Sequence, residues 1–214
     1  MSALTPGFSG ADIANICNEG AIIAARNDMP SVGIQQFESA TERVLAGLEK
    51  KNIMTPAERK TVAYHEAGHA ITGWFLEHSN PLLKITIIPR SKGSLGFAQY
   101  LPDELSLHTK EGLIDMIKVA LGGRVAEAIF FGKVTTGASD DIKKITRIAD
   151  GLVKVYGMSG EFGLMSYQGD DGNMVKPYSE FTAQKIDAEI KKIVDDCYAE
   201  VTQLLEEKRD LIEA

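Results

Sequence analysis

The pentapeptide His65-Glu66-Ala67-Gly68-His69 constrains this 214-residue chain more than any other stretch. Its spacing has chemical meaning only on a helix, and a helix start precedes it. Thr55 stands at the N-cap position, Pro56 at the first helical position, and Glu58 where a capping box closes. The pattern predicts a helix from there to about His78. Gly68 and Gly73 interrupt it, each disfavoured by about 1 kcal/mol relative to alanine, and Gly68 points to close packing against the motif. Residues four apart on a helix differ by about 40° in direction and about 6 Å in height, so both imidazoles project from one face. Two neutral imidazoles so placed can bind one Zn²⁺ at about 2.0–2.1 Å each. Glu66 flanks them, placed to accept a proton from water in an open coordination position. Paired histidines also decorate solvated helix faces. Here Val62, Ala63, Ala70 and Ile71 surround the motif, and burying two imidazoles and an acid without a role is costly.

A catalytic zinc takes a third protein ligand and leaves one position open. A metzincin would carry histidine at position 75, which is Phe75, so that class is excluded. His78 lies nine residues beyond His69, about 180° around the helix, and is expected to interact with the helix C-terminus. His108 falls in a polar turn before Thr109 and is expected to be exposed. The third ligand is therefore expected to be a carboxylate. Glu127, in Gly122-Gly123-Arg124-Val125-Ala126-Glu127, is one source; Asp140 or Asp141, in Thr136-Gly137-Ala138-Ser139-Asp140-Asp141, is the other. Acids at a helix start also complement the helix dipole, and the residues alone do not choose among the three.

The remaining pattern is mainly α with a small β-hairpin. Ser9 and Asp12 flank the start of a first helix with Ile13, Ile16, Cys17, Ala21 and Ala24 on one face. After Met29-Pro30-Ser31, a second stripe runs through Ile34, Phe37, Thr41, Val44 and Leu45, and Gly47 to Asn52 reads as a linker. A domain boundary is placed near residue 52. Leu83–Ile88 and Phe97–Leu101 read as a hairpin, and the segment Ile85–Ile88 either pairs with an extended substrate or serves as a core strand. Thr109 is expected to cap a helix reaching Gly132, and Ser139 one carrying Ile142, Ile145, Ala149, Leu152, Val153 and Tyr156. A long helix from about Ser179 follows a glycine-rich stretch. The net charge of −7 comes without a basic stripe, which argues against a nucleic-acid partner. Cys17 and Cys197 form no C-x-x-C pair and each is expected on an apolar helix face, as in a reducing compartment. No apolar run approaches the roughly 20 residues of a membrane span, and no signal peptide opens the chain.

From about Thr5 onward the chain resembles the FtsH family of AAA proteases. The resemblance rests on Thr5-Pro6-Gly7-Phe8-Ser9-Gly10-Ala11-Asp12, the His65–His69 motif and Ile87-Ile88-Pro89-Arg90. Leu121-Gly122-Gly123-Arg124 through Glu127, and Thr135-Thr136-Gly137-Ala138 through Asp141, complete it. It implies a zincin-type protease domain over 53–214, of the peptidase M41 type, preceded by part of a helical AAA lid over 1–52. It implies Zn²⁺ held by His65, His69 and Asp141, with Glu66 as general base and Glu127 supporting a ligand histidine by hydrogen bonding. The family more often has asparagine where Asp140 stands. Asn80-Pro81-Leu82-Leu83-Lys84, Ala98-Gln99-Tyr100-Leu101-Pro102 and Lys176-Pro177-Tyr178-Ser179-Glu180 look closest to the mitochondrial m-AAA, paraplegin-like branch. No G-x-x-x-x-G-K-[ST] stretch occurs, so ATP and Mg²⁺ are expected only in a full-length protein. The resemblance further implies a homo- or hetero-hexameric ring that degrades unfolded or membrane proteins. It also implies an anchor in the mitochondrial inner membrane, or alternatively in a bacterial inner membrane or a plastid. A ring subunit that keeps the fold as a catalytically silent scaffold is the alternative.

Overall fold

Four helix starts in this protein are capped by the side chains of Ser9, Thr55, Thr109 and Ser179. The computed structural model describes residues 5, 7–47, 54–89, 95–101, 107–168 and 177–213. The boundary expected near residue 52 lies outside them. Among the described residues the chain forms helices α1 (Gly10–Arg26), α2 (Ile34–Ala46) and α3 (Pro56–Phe75), then strands β1 (Leu82–Thr86) and β2 (Phe97–Tyr100). Helices α4 (Lys110–Phe131), α5 (Ser139–Lys154), α6 (Glu180–Glu207) and α7 (Arg209–Glu213) follow. The fold is therefore mainly helical with one small antiparallel sheet. Two compact units emerge, Met1–Glu66 with Asn80–Glu104 and Ala67–Ser79 with Leu105–Ala214, and α3 is a continuous helix that contributes to both.

In the first unit α1 packs on α2. Ser9 and Asp12 close a reciprocal capping box, the Ser9 N–H donating to Asp12 Oδ2 at 2.9 Å and the Asp12 N–H to Ser9 Oγ at 3.3 Å. The same device starts α3. Thr55 N–H donates to Glu58 Oε2 at 2.8 Å and Glu58 N–H returns to Thr55 Oγ1 at 3.2 Å, and these bonds hold the Glu58 carboxyl below its ordinary range. The face of α1 that is buried is Ile16, Gly20 and Ala24. Cys17, expected on that face, is exposed, because a step of one residue turns it by about 100° from the Ile16 row. β1 and β2 pair with Leu82 opposite Tyr100 and Thr86 opposite Phe97, with an irregularity between Leu82 and Lys84. No β1 residue is fully buried, so β1 is not a core strand. It stops at Thr86, two residues short of the expected end.

In the second unit α4 packs against both α5 and α6. Ile117, Leu121 and Val125 of α4 are buried with Ile145, Ala149 and Leu152 of α5 and Ile186, Cys197, Val201 and Leu205 of α6. Covered on several sides, α4 needs no polar face through its middle, which explains its long run of small and apolar residues. Thr109 caps it by accepting from the Gly112 N–H, and Gly132 closes it in the left-handed conformation, φ 59°.

Three expectations for this half are corrected. α3 stops at Phe75 rather than about His78, because the His78 N–H donates to Asp115 Oδ2 at 3.2 Å instead of continuing the helix. Ser139 does not cap α5; it is the first helical residue, behind a 3-10 turn over Thr136–Ala138 that Thr135 caps. Ile142 and Tyr156 are exposed, at 44% and 54%, while Ile145, Ala149, Leu152 and Val153 form the buried face.

Candidate metal centre

The middle of α3 carries the chemistry. His65, Glu66 and His69 are all buried, with 8–9% of each residue accessible. One ligand atom each from His65, His69 and Asp141 lie within 4.8 Å of one another. Two imidazoles and one carboxylate form a donor set that suits a borderline-soft divalent ion such as Zn²⁺, with room for a fourth, non-protein ligand. Asp141 is the second of the two acids in the first turn of α5. Its Oδ2 is 3.6 Å from His69 Nε2, a separation that leaves space for a shared ion rather than a direct hydrogen bond.

His69 is oriented from behind. Its Nδ1 lies 2.8 Å from the Val119 carbonyl oxygen of α4. A carbonyl can only accept, so Nδ1 carries the proton and donates, and the Nε2 lone pair faces Asp141. The Gly123 N–H also approaches Nδ1, at 3.3 Å. In an α-helix that N–H is directed at the Val119 carbonyl four residues back, so it does not alter this tautomer.

The approach of α4 that makes this possible depends on glycine. A Cβ at Gly68 would fall 2.3 Å from the Gly122 carbonyl oxygen, and one at Gly122 would fall 2.5 Å from the Gly68 carbonyl oxygen. Thr72, fully buried, donates its hydroxyl to Gly68 O at 2.7 Å, one turn further along. The glycine inside the histidine motif is thus explained by backbone meeting backbone.

The other candidate acids separate by position. Asp140 is exposed and pairs with Lys143 at 2.8 Å. Glu127 is 1% accessible, and accepts the Thr135 N–H at 2.6 Å and the Thr135 hydroxyl at 3.2 Å. Glu127 therefore ties down the turn that leads into Asp141. Of the remaining histidines, His108 is exposed, and His78 lies beyond the end of α3. Sequence reasoning missed Val119, whose contribution is a backbone carbonyl with no side-chain signature. It also left Gly68 and Gly122 unpaired, although two glycines inside helices are the mark that a close crossing leaves in a sequence.

A helix presenting two histidines and an adjacent buried glutamate, with a carboxylate brought in from another helix, is the arrangement that zinc peptidases use. Comparison with known families agrees: residues 52–214 match the model of peptidase family M41, and residues 1–39 match that of the AAA+ lid domain. The chain belongs to peptidase family M41. It is 50% identical, over its whole length, to an ATP-dependent zinc metalloprotease FtsH of Rhodothermus marinus. Over its whole length it is also 53% identical to the mitochondrial inner membrane m-AAA protease component AFG3L2 of Mus musculus. It matches the yeast component YTA10 at 50% identity. The chain spans 32%, 27% and 28% of the length of these three relatives. No helix among the described residues is long and apolar enough to cross a membrane.

Proposed function

We propose that this chain is the proteolytic part, with adjoining lid, of an ATP-dependent zinc endopeptidase that degrades unfolded or membrane proteins. The observation that carries the reading is the convergence of His65, His69 and Asp141 within 4.8 Å, with buried Glu66 next to them on α3. In this reading His65 and His69 hold Zn²⁺ through imidazole nitrogens and Asp141 through a carboxylate oxygen. Bound there, Zn²⁺ supplies Lewis acidity, bringing the pKa of water down to about 7 and polarising a carbonyl. Glu66 takes the proton from the attacking water on a carboxylate oxygen and later delivers it to the leaving amine nitrogen. Val119 fixes the His69 tautomer. Glu127 supports a ligand histidine by hydrogen bonding and, through Thr135, also holds the turn that leads into Asp141. β1 holds the substrate backbone in an extended conformation along its edge not paired with β2.

Residues 1–52 form the end of the lid and 53–214 the protease domain. The relatives' names support ATP use and a place at the mitochondrial inner membrane; the hexameric ring, and a bacterial membrane as the alternative anchor, rest on the family resemblance alone. The test is cleavage of an unstructured fluorogenic peptide by the zinc-loaded chain beside its Glu66→Gln variant. Activity lost in the variant at unchanged zinc content supports a metallopeptidase with Glu66 as base. Equal activity in both removes Glu66 from the mechanism, and two silent, zinc-loaded proteins favour the scaffold reading.

A further inference from the structure

Gly96 stands immediately before β2. A Cβ placed on it would lie 2.3 Å from Glu66 Oε1 and 2.7 Å from both Glu66 Cδ and Cγ. Its backbone is not in the positive-φ region, unlike Gly7, Gly47, Gly132, Gly157 and Gly163. Any residue can therefore adopt the Gly96 conformation, and what demands glycine is the space that Glu66 occupies. Gly68 and Gly122 differ in kind, since their conflicts would be with backbone carbonyls that cannot rotate away. At Gly96 the conflict is with Cγ, Cδ and Oε1 of one side chain, which has three rotatable bonds and moves as a whole when χ1 turns. A methyl group there is accommodated by displacing the carboxylate, and the surrounding fold yields little.

We propose that Gly96 is a positioning residue for Glu66: its bare backbone closes one side of the space in which the carboxylate is held for proton transfer. This rests on the reading of Glu66 as the proton-transfer group. Such transfer needs heavy atoms about 2.6–3.2 Å apart, and a misplacement of about 1 Å can cost about 100-fold in rate. Both Gly96 and Glu66 belong to the same compact unit. The contact therefore ties the start of β2, and with it the hairpin, directly to the reactive carboxylate of α3.

The experiment is a set of Gly96 and Glu66 variants of the full chain, read in two ways. In the zinc-loaded protein, with the fluorogenic peptide, Gly96→Ala is expected to lower kcat about 100-fold, with KM within about twofold and zinc content unchanged. Glu66→Asp withdraws the carboxylate by one methylene, so it is expected to cost less activity in the Gly96→Ala background than in the parent. In the metal-free protein, thermal unfolding reads the contact without turnover: the small loss of Tm caused by Gly96→Ala should vanish in the Glu66→Ala background. Gly96→Ala that keeps its kcat beside a silent Glu66→Gln overturns the inference alone. So does a loss carried entirely by KM, or a Tm loss that persists when Glu66 is alanine. A fully active Glu66→Gln overturns the reading of Glu66 itself, and this inference with it.

Discussion

Replacing Gly122 with alanine tests whether α3 and α4 meet backbone to backbone behind the histidines. The new Cβ would stand 2.5 Å from Gly68 O and 2.6 Å from Thr72 Oγ1. Ordinary carbon contacts begin near about 3.5 Å, so the two helices must separate by roughly 1 Å. Overpacking of this kind costs about 1–3 kcal/mol. The separation also stretches the His69–Val119 hydrogen bond, worth about 1 kcal/mol. Alanine returns about 1 kcal/mol through its higher helix propensity. The net loss is about 1–3 kcal/mol, or a fall in Tm of about 2–12 °C for a chain of this size. Thermal unfolding of the metal-free protein measures it. Gly112→Ala, whose Cβ meets nothing closer than Thr109 Oγ1 at 3.5 Å, is the control, expected to leave Tm level or raise it. Gly68→Ala should resemble Gly122→Ala, and the double variant should cost less than the sum, because one separation relieves both conflicts. Zinc binding by Gly122→Ala should weaken about 10- to 100-fold, the usual consequence of losing the partner behind a ligand histidine. A Gly122→Ala protein with the parent's Tm would refute the close crossing.

Two further predictions concern side chains whose surroundings differ sharply. Asp141→Asn should lower zinc affinity by at least about 10-fold in a competitive chelator titration, whereas Asp140→Asn, which removes only an exposed pairing with Lys143, should leave it within about twofold. The two cysteines should separate by reactivity in a thiol titration at pH 8. Cys17 is exposed, while burial pushes the Cys197 thiol up to about 11, so that about one part in a thousand is thiolate even when reached by reagent. One equivalent should react in the folded chain and two in denaturant; two fast equivalents in the folded chain would place Cys197 outside the α6 core.

What the sequence determined was local. Capping boxes at Ser9–Asp12 and Thr55–Glu58, and caps at Thr109 and Ser179, involve residues three apart, so their hydrogen bonds can be read before any tertiary contact exists. The facing of His65 and His69 follows from helix geometry in the same way. Local reading erred where tertiary contacts competed. Asp115 takes the His78 N–H and ends α3, Thr135 rather than Ser139 organises the turn before α5, and the packing of α1 on α2 selects the Ile16 row over Cys17. Residue chemistry and spacing left Asp141, Asp140 and Glu127 open and the family resemblance pointed to Asp141; the tertiary structure brings an Asp141 oxygen within 4.8 Å of both imidazoles, which depends on where a distant helix start lies. It also decided the partners that have no side chain at all: the Val119 carbonyl behind His69, the Gly68–Gly122 crossing, and the Gly96 backbone against Glu66. Backbone groups are the same in every residue, so nothing in a sequence marks the Val119 carbonyl, and a glycine signals a close approach without saying what it meets 30 or 50 positions away.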